Sequence, residues 1–221
     1  EKKFQNIISN KKFKTSNGVN GDIDICFLGE KSIYFIECKN RLHPISSNSS
    51  ITNYEYIIKA KDVQLPKIIR YFEEDKKAFI KKYFAQEIED IDEYKIYKFI
   101  LLSNRNISGL NIDDIAIRDI YSLERILDIG FLEIGKISDE DKNKIIINEK
   151  IYYWENEEYF QERDLINYHS NNSKFFNLFQ QMIFKDSRDY EYNGYILRDK
   201  FFTSDLSVEQ LDNIKKKLRE E

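Results

Sequence analysis

The sequence predicts an α/β fold: a mixed β-sheet flanked by helices, with a smaller C-terminal α+β annex. Three stretches carry that prediction. Residues 22–28 and 32–38 alternate in polarity on either side of Gly29–Lys31, which reads as a hairpin. Residues 54–88 are largely helical, with a kink or break near Pro66. Residues 95–104, KIYKFILLSN, form a near-continuous apolar run, the mark of a strand buried on both faces. A hairpin followed by a helical crossover back into the sheet makes that sheet mixed.

The elements follow in order. Phe4, Ile7 and Ile8 stand at helical spacing in EKKFQNIIS, which predicts the end of a helix. Residues 11–17 suit a short strand and NGVNG a turn. In the first hairpin strand Ile23, Ile25 and Phe27 share one face, and Asp24, Cys26 and Leu28 the other. In the second, Ile33, Phe35 and Glu37 oppose Tyr34, Ile36 and Cys38. Residues 40–50 are polar and aperiodic, a loop. IAIRD (115–119) reads as a strand and YSLERIL (121–127) as a helix. The order is helix, three strands, helix, strand, strand, helix.

After Gly130 the pattern changes, which divides the chain into a core at 1–130 and an annex at 131–221. FLEIGKI and KIIINEKIYYW suit short strands, and EYNGYILR another. A helix carries Phe175, Phe176 and Phe179, and Ser207 with Gln210 forms a capping box for a last helix.

Composition narrows the function. The chain has 221 residues, 41% hydrophobic and 33% charged, the balance of a soluble globular protein. Its net charge of −4 excludes a general polyanion-coating protein, so nucleic-acid contact requires a local basic patch. Two cysteines, Cys26 and Cys38, make no disulfide scaffold, and a reducing cytoplasm is expected. There is no signal peptide and no apolar run of membrane-spanning length, so no membrane partner is expected. The chain lacks an initiator Met, which is read as a boundary within a longer protein.

The chemistry concentrates in the hairpin. Glu-x-Lys recurs at 1–3, 37–39, 74–76, 93–95 and 140–142, so the tripeptide alone signals little. Only the copy at 37–39 ends a strongly apolar strand beside one that carries Asp24. Hairpin pairing brings Asp24 and Glu37 together on one face, where two carboxylates repel. A divalent cation resolves that conflict, with the Cys38 backbone carbonyl as a further oxygen ligand. Lys39 shares Glu37's side of the strand, where an ammonium can orient water or stabilise charge at phosphorus. The plain alternative is an ordinary salt bridge on a half-exposed hairpin face. Asp22 reads as a strand-edge residue, and His43 and His169 as bland. Cys38 is read as a core-filling side chain. Lys59, Lys61, Lys67 and Arg70 on the following helix, and Arg41 in the loop, are the candidates for nucleic-acid contact.

Asp24, thirteen residues, then Glu37-Cys38-Lys39 on paired strands resembles the PD-(D/E)xK nuclease superfamily, the restriction-endonuclease-like fold. The resemblance covers about residues 1–104 and implies an αβββαβ core, matching the order read above. It implies that Asp24 and Glu37 hold Mg²⁺ or Mn²⁺ and that Lys39 serves catalysis. A first-helix glutamate common in that family falls at Glu1. A glutamine on the helix after the motif falls at Gln64, in KDVQLPKIIRYF. Ile23 stands where a Pro-Asp pair would have its proline. The implied activity is metal-dependent hydrolysis of phosphodiester bonds, expected in DNA, with restriction or phage defence as the associated setting. A homodimer or further domains would help an acidic chain to bind. The competing expectations are an inactive nuclease-fold module that binds nucleic acid or a partner protein, and a purely structural α/β domain.

Overall fold

A computed structural model describes residues 4, 6–41, 47–103, 108–137, 145–156, 158–172, 184–192 and 195–203. The chain divides into two compact units, Glu1–Asn171 and Asn172–Glu221. Residues 131–171, assigned from the sequence to the annex, fall in the first unit. Glu1, His43, Phe175, Phe176, Phe179, Ser207 and Gln210 lie outside the described residues, as does the predicted C-terminal helix.

The first unit is built on a six-stranded mixed sheet in the order β1-β2-β3-β4-β6-β5. Its strands are β1 (Ile7–Lys14), β2 (Asn20–Leu28), β3 (Ser32–Lys39), β4 (Lys95–Leu102), β5 (Asn111–Ile112) and β6 (Ile115–Asp119). β1, β2 and β3 are antiparallel neighbours; β4 joins β3 in parallel, and β6 joins β4 in parallel. The crossover from β3 to β4 carries α1 (Ser47–Lys59), a π-helical turn (Ala60–Gln64), α2 (Leu65–Glu74) and α3 (Lys76–Phe84).

The hairpin forms where the period-two pattern placed it. β2 and β3 pair Cys26 with Phe35 and Leu28 with Ile33, so these side chains share one face. That face is packed by the crossover helices: Phe35 lies 5.6 Å from Phe72 and 6.0 Å from Phe79, ring centre to ring centre. Tyr34 points to the opposite face, stacked on Phe27 at 4.5 Å and Tyr97 at 5.1 Å.

The first element differs from expectation. Residues 7–9, read as the end of a helix, belong to strand β1. Their spacing suits a helix, but pairing with β2 offers seven register partners, Ile7–Phe27 through Lys14–Asn20. Propensity over so short a segment yields to that tertiary contact. The helix does not end at Pro66: the π-helical turn lies directly before it, and Gln64 and Leu65 keep right-handed helical angles. The break falls at Asp75, which is extended and caps α3 by accepting the Ala78 N–H at 2.8 Å. Part of the predicted 40–50 loop is helical, since α1 begins at Ser47.

Residues 131–171 pack on the core. β7 (Phe131–Ile137) and β8 (Ile145–Tyr152) form an antiparallel pair, followed by α5 (Glu162–His169). The Glu162 carboxylate accepts the Glu30 N–H and the Tyr34 hydroxyl, each at 2.7 Å, and the Ser32 hydroxyl. It reaches the β2–β3 turn because Gly29 has no side chain; a Cβ there would lie 1.8 Å from Glu162 Oε1. His169, bland by sequence, is buried. Its Nε2 lies 3.1 Å from the Lys98 carbonyl, and its ring lies edge-on to Tyr97 and Phe99. Burial pushes its pKa down to about 4, so the imidazole is neutral.

Arg118, on β6, is fully buried. Its guanidinium donates to the carbonyls of Leu110, Ile117, Tyr168 and His169 and to the side-chain oxygens of Asn111 and Asn171, at 2.7–3.2 Å. It thereby satisfies carbonyls at the end of α5.

The second unit contains an antiparallel hairpin, β9 (Phe184–Tyr192) with β10 (Tyr195–Thr203). The sequence reading gave EYNGYILR as one strand. The two strands flank Asn193-Gly194, a dipeptide that favours hairpin turns. No helix among the described residues is long and apolar enough to cross a membrane.

Candidate active site

The β2–β3 ladder pairs residues up to Ile25–Ile36 and then opens. One step further along that register, Asp24 faces Glu37. At the opening the Cys38 N–H donates to Asp24 Oδ2 at 2.8 Å instead of to a β2 carbonyl. Parallel pairing on the other side sets Glu37 beside Ile100 and Lys39 beside Leu102, which fixes the end of β3 deep in the sheet.

Glu37 is therefore a buried carboxylate: its side chain is 4% exposed and that of Lys39 12%. The Lys39 ammonium donates to Glu37 Oε1 and, at 2.8 Å, to Gln64 Oε1. Burial raises the Glu37 pKa above the usual carboxylate range, the bond from Lys39 opposes that, and the negative charges of Asp24 and Asp22 add to it. Cys38 is pushed up to about 11, first by burial and then by Asp24 and Glu37, so its thiol is protonated and no nucleophile.

Gln64 arrives by a route the sequence did not reveal. It closes the π-helical turn Ala60–Gln64, where the Leu65 N–H bonds back to the Ala60 carbonyl. Such one-residue expansions of a helix recur at functional sites. β1 contributes another irregularity. Asn10 adopts a left-handed φ of 52°, and the register passes from Ser9–Ile25 to Lys11–Ile23, skipping Asn10 opposite Asp24. Ile8 and Phe13 are both buried although they stand five positions apart, which regular alternation would put on opposite faces, so the strand switches face here. The exposed Asp22 lies opposite Lys12.

The donor set fits a divalent cation. Asp24 and Glu37 each keep one carboxylate oxygen, Oδ1 and Oε2, with no protein partner among the described residues, and the carbonyl of Cys38, next after Glu37, would be a further oxygen donor. No group of three or more His, Cys, Asp or Glu side chains among the described residues is arranged to hold a metal ion, so water or substrate oxygens would complete the shell.

The predicted nucleic-acid contacts stand in different surroundings. Arg41 stacks on Tyr56 at 3.9 Å and donates to Asn53 at 3.3 Å. Lys59 and Arg70 are exposed, and Lys67 is half-buried. Lys61 is held by Asp62 and Asp113, each at 2.9 Å, and these carboxylates raise its pKa. With Arg70, Lys98 and Asp114 it lines a groove of about 410 Å³.

Glu37 makes stability depend on pH. A raised native pKa means that the folded state holds its proton more tightly than the unfolded state. Its contribution is therefore fully present below the ordinary glutamate pKa and is lost as pH rises through the native value. In metal-free protein, urea melts across that range should show stability falling with pH more steeply than in Glu37→Gln. Identical slopes would show that Glu37 is not perturbed.

Comparison with family models, with curated proteins and with solved structures finds no match.

Proposed function

We propose that the chain is a metal-dependent nuclease of the PD-(D/E)xK type, hydrolysing phosphodiester bonds in DNA with Mg²⁺ or Mn²⁺. The observation that carries the reading is the convergence of Asp24, Glu37, Lys39 and Gln64 at the open end of the β2–β3 ladder. A salt bridge serving only solubility would be exposed. Here the ion pair is nearly buried, and a second carboxylate adds to the strain on it.

Asp24, Glu37 and the Cys38 carbonyl would hold the cation. When bound, it supplies positive charge to the phosphate and acidifies water. Lys39 presents its ammonium beside that position, and Gln64 fixes the direction in which it points. The ammonium holds the attacking water and stabilises negative charge as it builds on the phosphate oxygens. One P–O bond forms and one breaks. The water proton passes to solvent, the leaving oxygen takes one back, and the products are a phosphate monoester and a hydroxyl. Restriction or phage defence is a setting that suits this chemistry.

The alternative is a module of the same fold that binds nucleic acid or protein without cutting. It is favoured by the lack of a third carboxylate among the described residues. Incubation of plasmid and single-stranded DNA with Mg²⁺, Mn²⁺ or EDTA decides between them. Cleavage should require metal and disappear in Asp24→Asn, and Mn²⁺ alone should raise the melting temperature of the wild type. A protein that binds Mn²⁺ neither by this measure nor in catalysis is not this nuclease.

A further inference from the structure

We propose that the outer strand β1, with Lys82 beside it, is the track that seats the sugar–phosphate backbone of DNA against the Asp24–Glu37–Lys39 site. The inference takes its ligand from the nuclease reading, although its test does not require cleavage. β1 borders the sheet and pairs only with β2. Its register sets Lys11 opposite Ile23, Lys12 opposite Asp22 and Lys14 opposite Asn20. Three ammonium groups thus flank the segment of β2 that carries Asp24.

These lysines differ from six others among the described residues. Lys31, Lys39, Lys61, Lys76, Lys81 and Lys98 each form a salt bridge with Asp or Glu. Lys11, Lys12 and Lys14 are exposed, and none forms an ion pair among the described residues. In a chain of net charge −4, three uncompensated cations within four residues make the local positive field that its overall charge denies it. The field extends onto α3. The Tyr83 hydroxyl donates to the Lys12 carbonyl at 3.4 Å, and Lys82 donates to Tyr71 at 3.0 Å and lies 4.9 Å over the Tyr83 ring. Phenol groups hold that ammonium in place without neutralising it.

Protection of a sheet edge is the ordinary use of lysines on an outer strand. It does not account for their distribution. The half of β1 in greatest need of protection carries the exposed Ile7 and no charge, while all three lysines stand at the end beside the site. At about 3.3 Å per residue, Lys11 to Lys14 span about 10 Å. That matches about three phosphates of one duplex strand, spaced about 3.4 Å along the axis. Contacts of this kind position the backbone and read no bases, so binding is independent of sequence.

The test is fluorescence anisotropy of the intact chain with a labelled DNA duplex in EDTA, over a KCl series, beside the cleavage assay. Lys11→Gln/Lys12→Gln/Lys14→Gln should bind more weakly and flatten the plot of log affinity against log salt by about 3, about one for each lysine. Lys82→Gln alone should flatten it by about 1. The comparison is Lys59→Gln/Lys67→Gln/Arg70→Gln, which should keep the wild-type slope. An unchanged slope in the β1 variant, with the wild type still cutting, overturns the track and leaves the nuclease reading standing. A slope change confined to the helix variant also overturns it. Binding through β1 by a protein that never cuts supports the track and removes the nuclease. A wild type that does not bind duplex at low salt overturns the track outright.

Discussion

Lys39→Ala is expected to reduce metal-dependent DNA cleavage by about 10²–10⁴-fold while the protein still binds Mn²⁺. The two outcomes separate because the proposed mechanism gives Lys39 two jobs. In the metal-free chain it is the counter-ion of Glu37, and in the proposed reaction it would face water and phosphate. Its removal leaves Glu37 buried beside Asp24, a like-charge arrangement that costs stability. The cation would then offset the charge of both carboxylates in place of the ammonium, so Mn²⁺ should raise the melting temperature at least as far as in the wild type. Single-turnover cleavage with a thermal-shift titration measures both. Full activity in the variant would reduce Lys39 to a structural counter-ion. Lost activity together with lost Mn²⁺ stabilisation would mean that the site had collapsed.

The largest effect on stability is expected from Arg118→Met, which keeps much of the side chain's length and removes its donors. Four backbone carbonyls and two amide oxygens lose a partner inside the protein. The Leu110, Ile117 and His169 carbonyls each keep another donor, so the loss falls on the remaining three acceptors at about 1–3 kcal/mol each, about 4 kcal/mol in all after partial relaxation. For a chain of this size that corresponds to a fall in melting temperature of about 8–16 °C. Arg118→Lys keeps the charge and fewer donors and should fall between. Urea melts give the order; a Met variant as stable as the wild type would show that water replaces the guanidinium.

The contrast between these residues explains what the sequence disclosed. Asp24, Glu37 and Lys39 lie within a single hairpin, so period-two alternation and one Gly-containing turn were enough to bring them together. Gln64 comes from the crossover, and only the family resemblance singled it out. Arg118 carried no signal in IAIRD: its burial depends on α5, about 50 residues away, and a strand pattern cannot report a partner at that distance. The start of β1, before the stretch from Lys11 that was read as a strand, was misread because its apolar residues are few and the left-handed Asn10 disrupts their alternation. β5, with two residues, is too short to have a period at all. The lysines of β1 passed unnoticed for a related reason. Lysine is common along this chain, and only the structure distinguishes those already neutralised.

The π-helical turn has a consequence for chain length. In an unbroken α-helix, the residue two turns beyond Ile57 is Gln64, and its amide would occupy a core position. The one-residue expansion gives that position to Leu65, which is fully buried, and releases Gln64 to meet Lys39. The helix packs the core on both sides of the turn, through Ile57 before it, Ala60 at its start and Leu65, Ile68 and Phe72 after it, and the extra residue is what lets Gln64 face the site. Losing one residue would restore regular pitch and set Leu65 two turns beyond Ile57, so the later side chains would stay in step with the sheet while the offset that carries Gln64 to Lys39 disappeared.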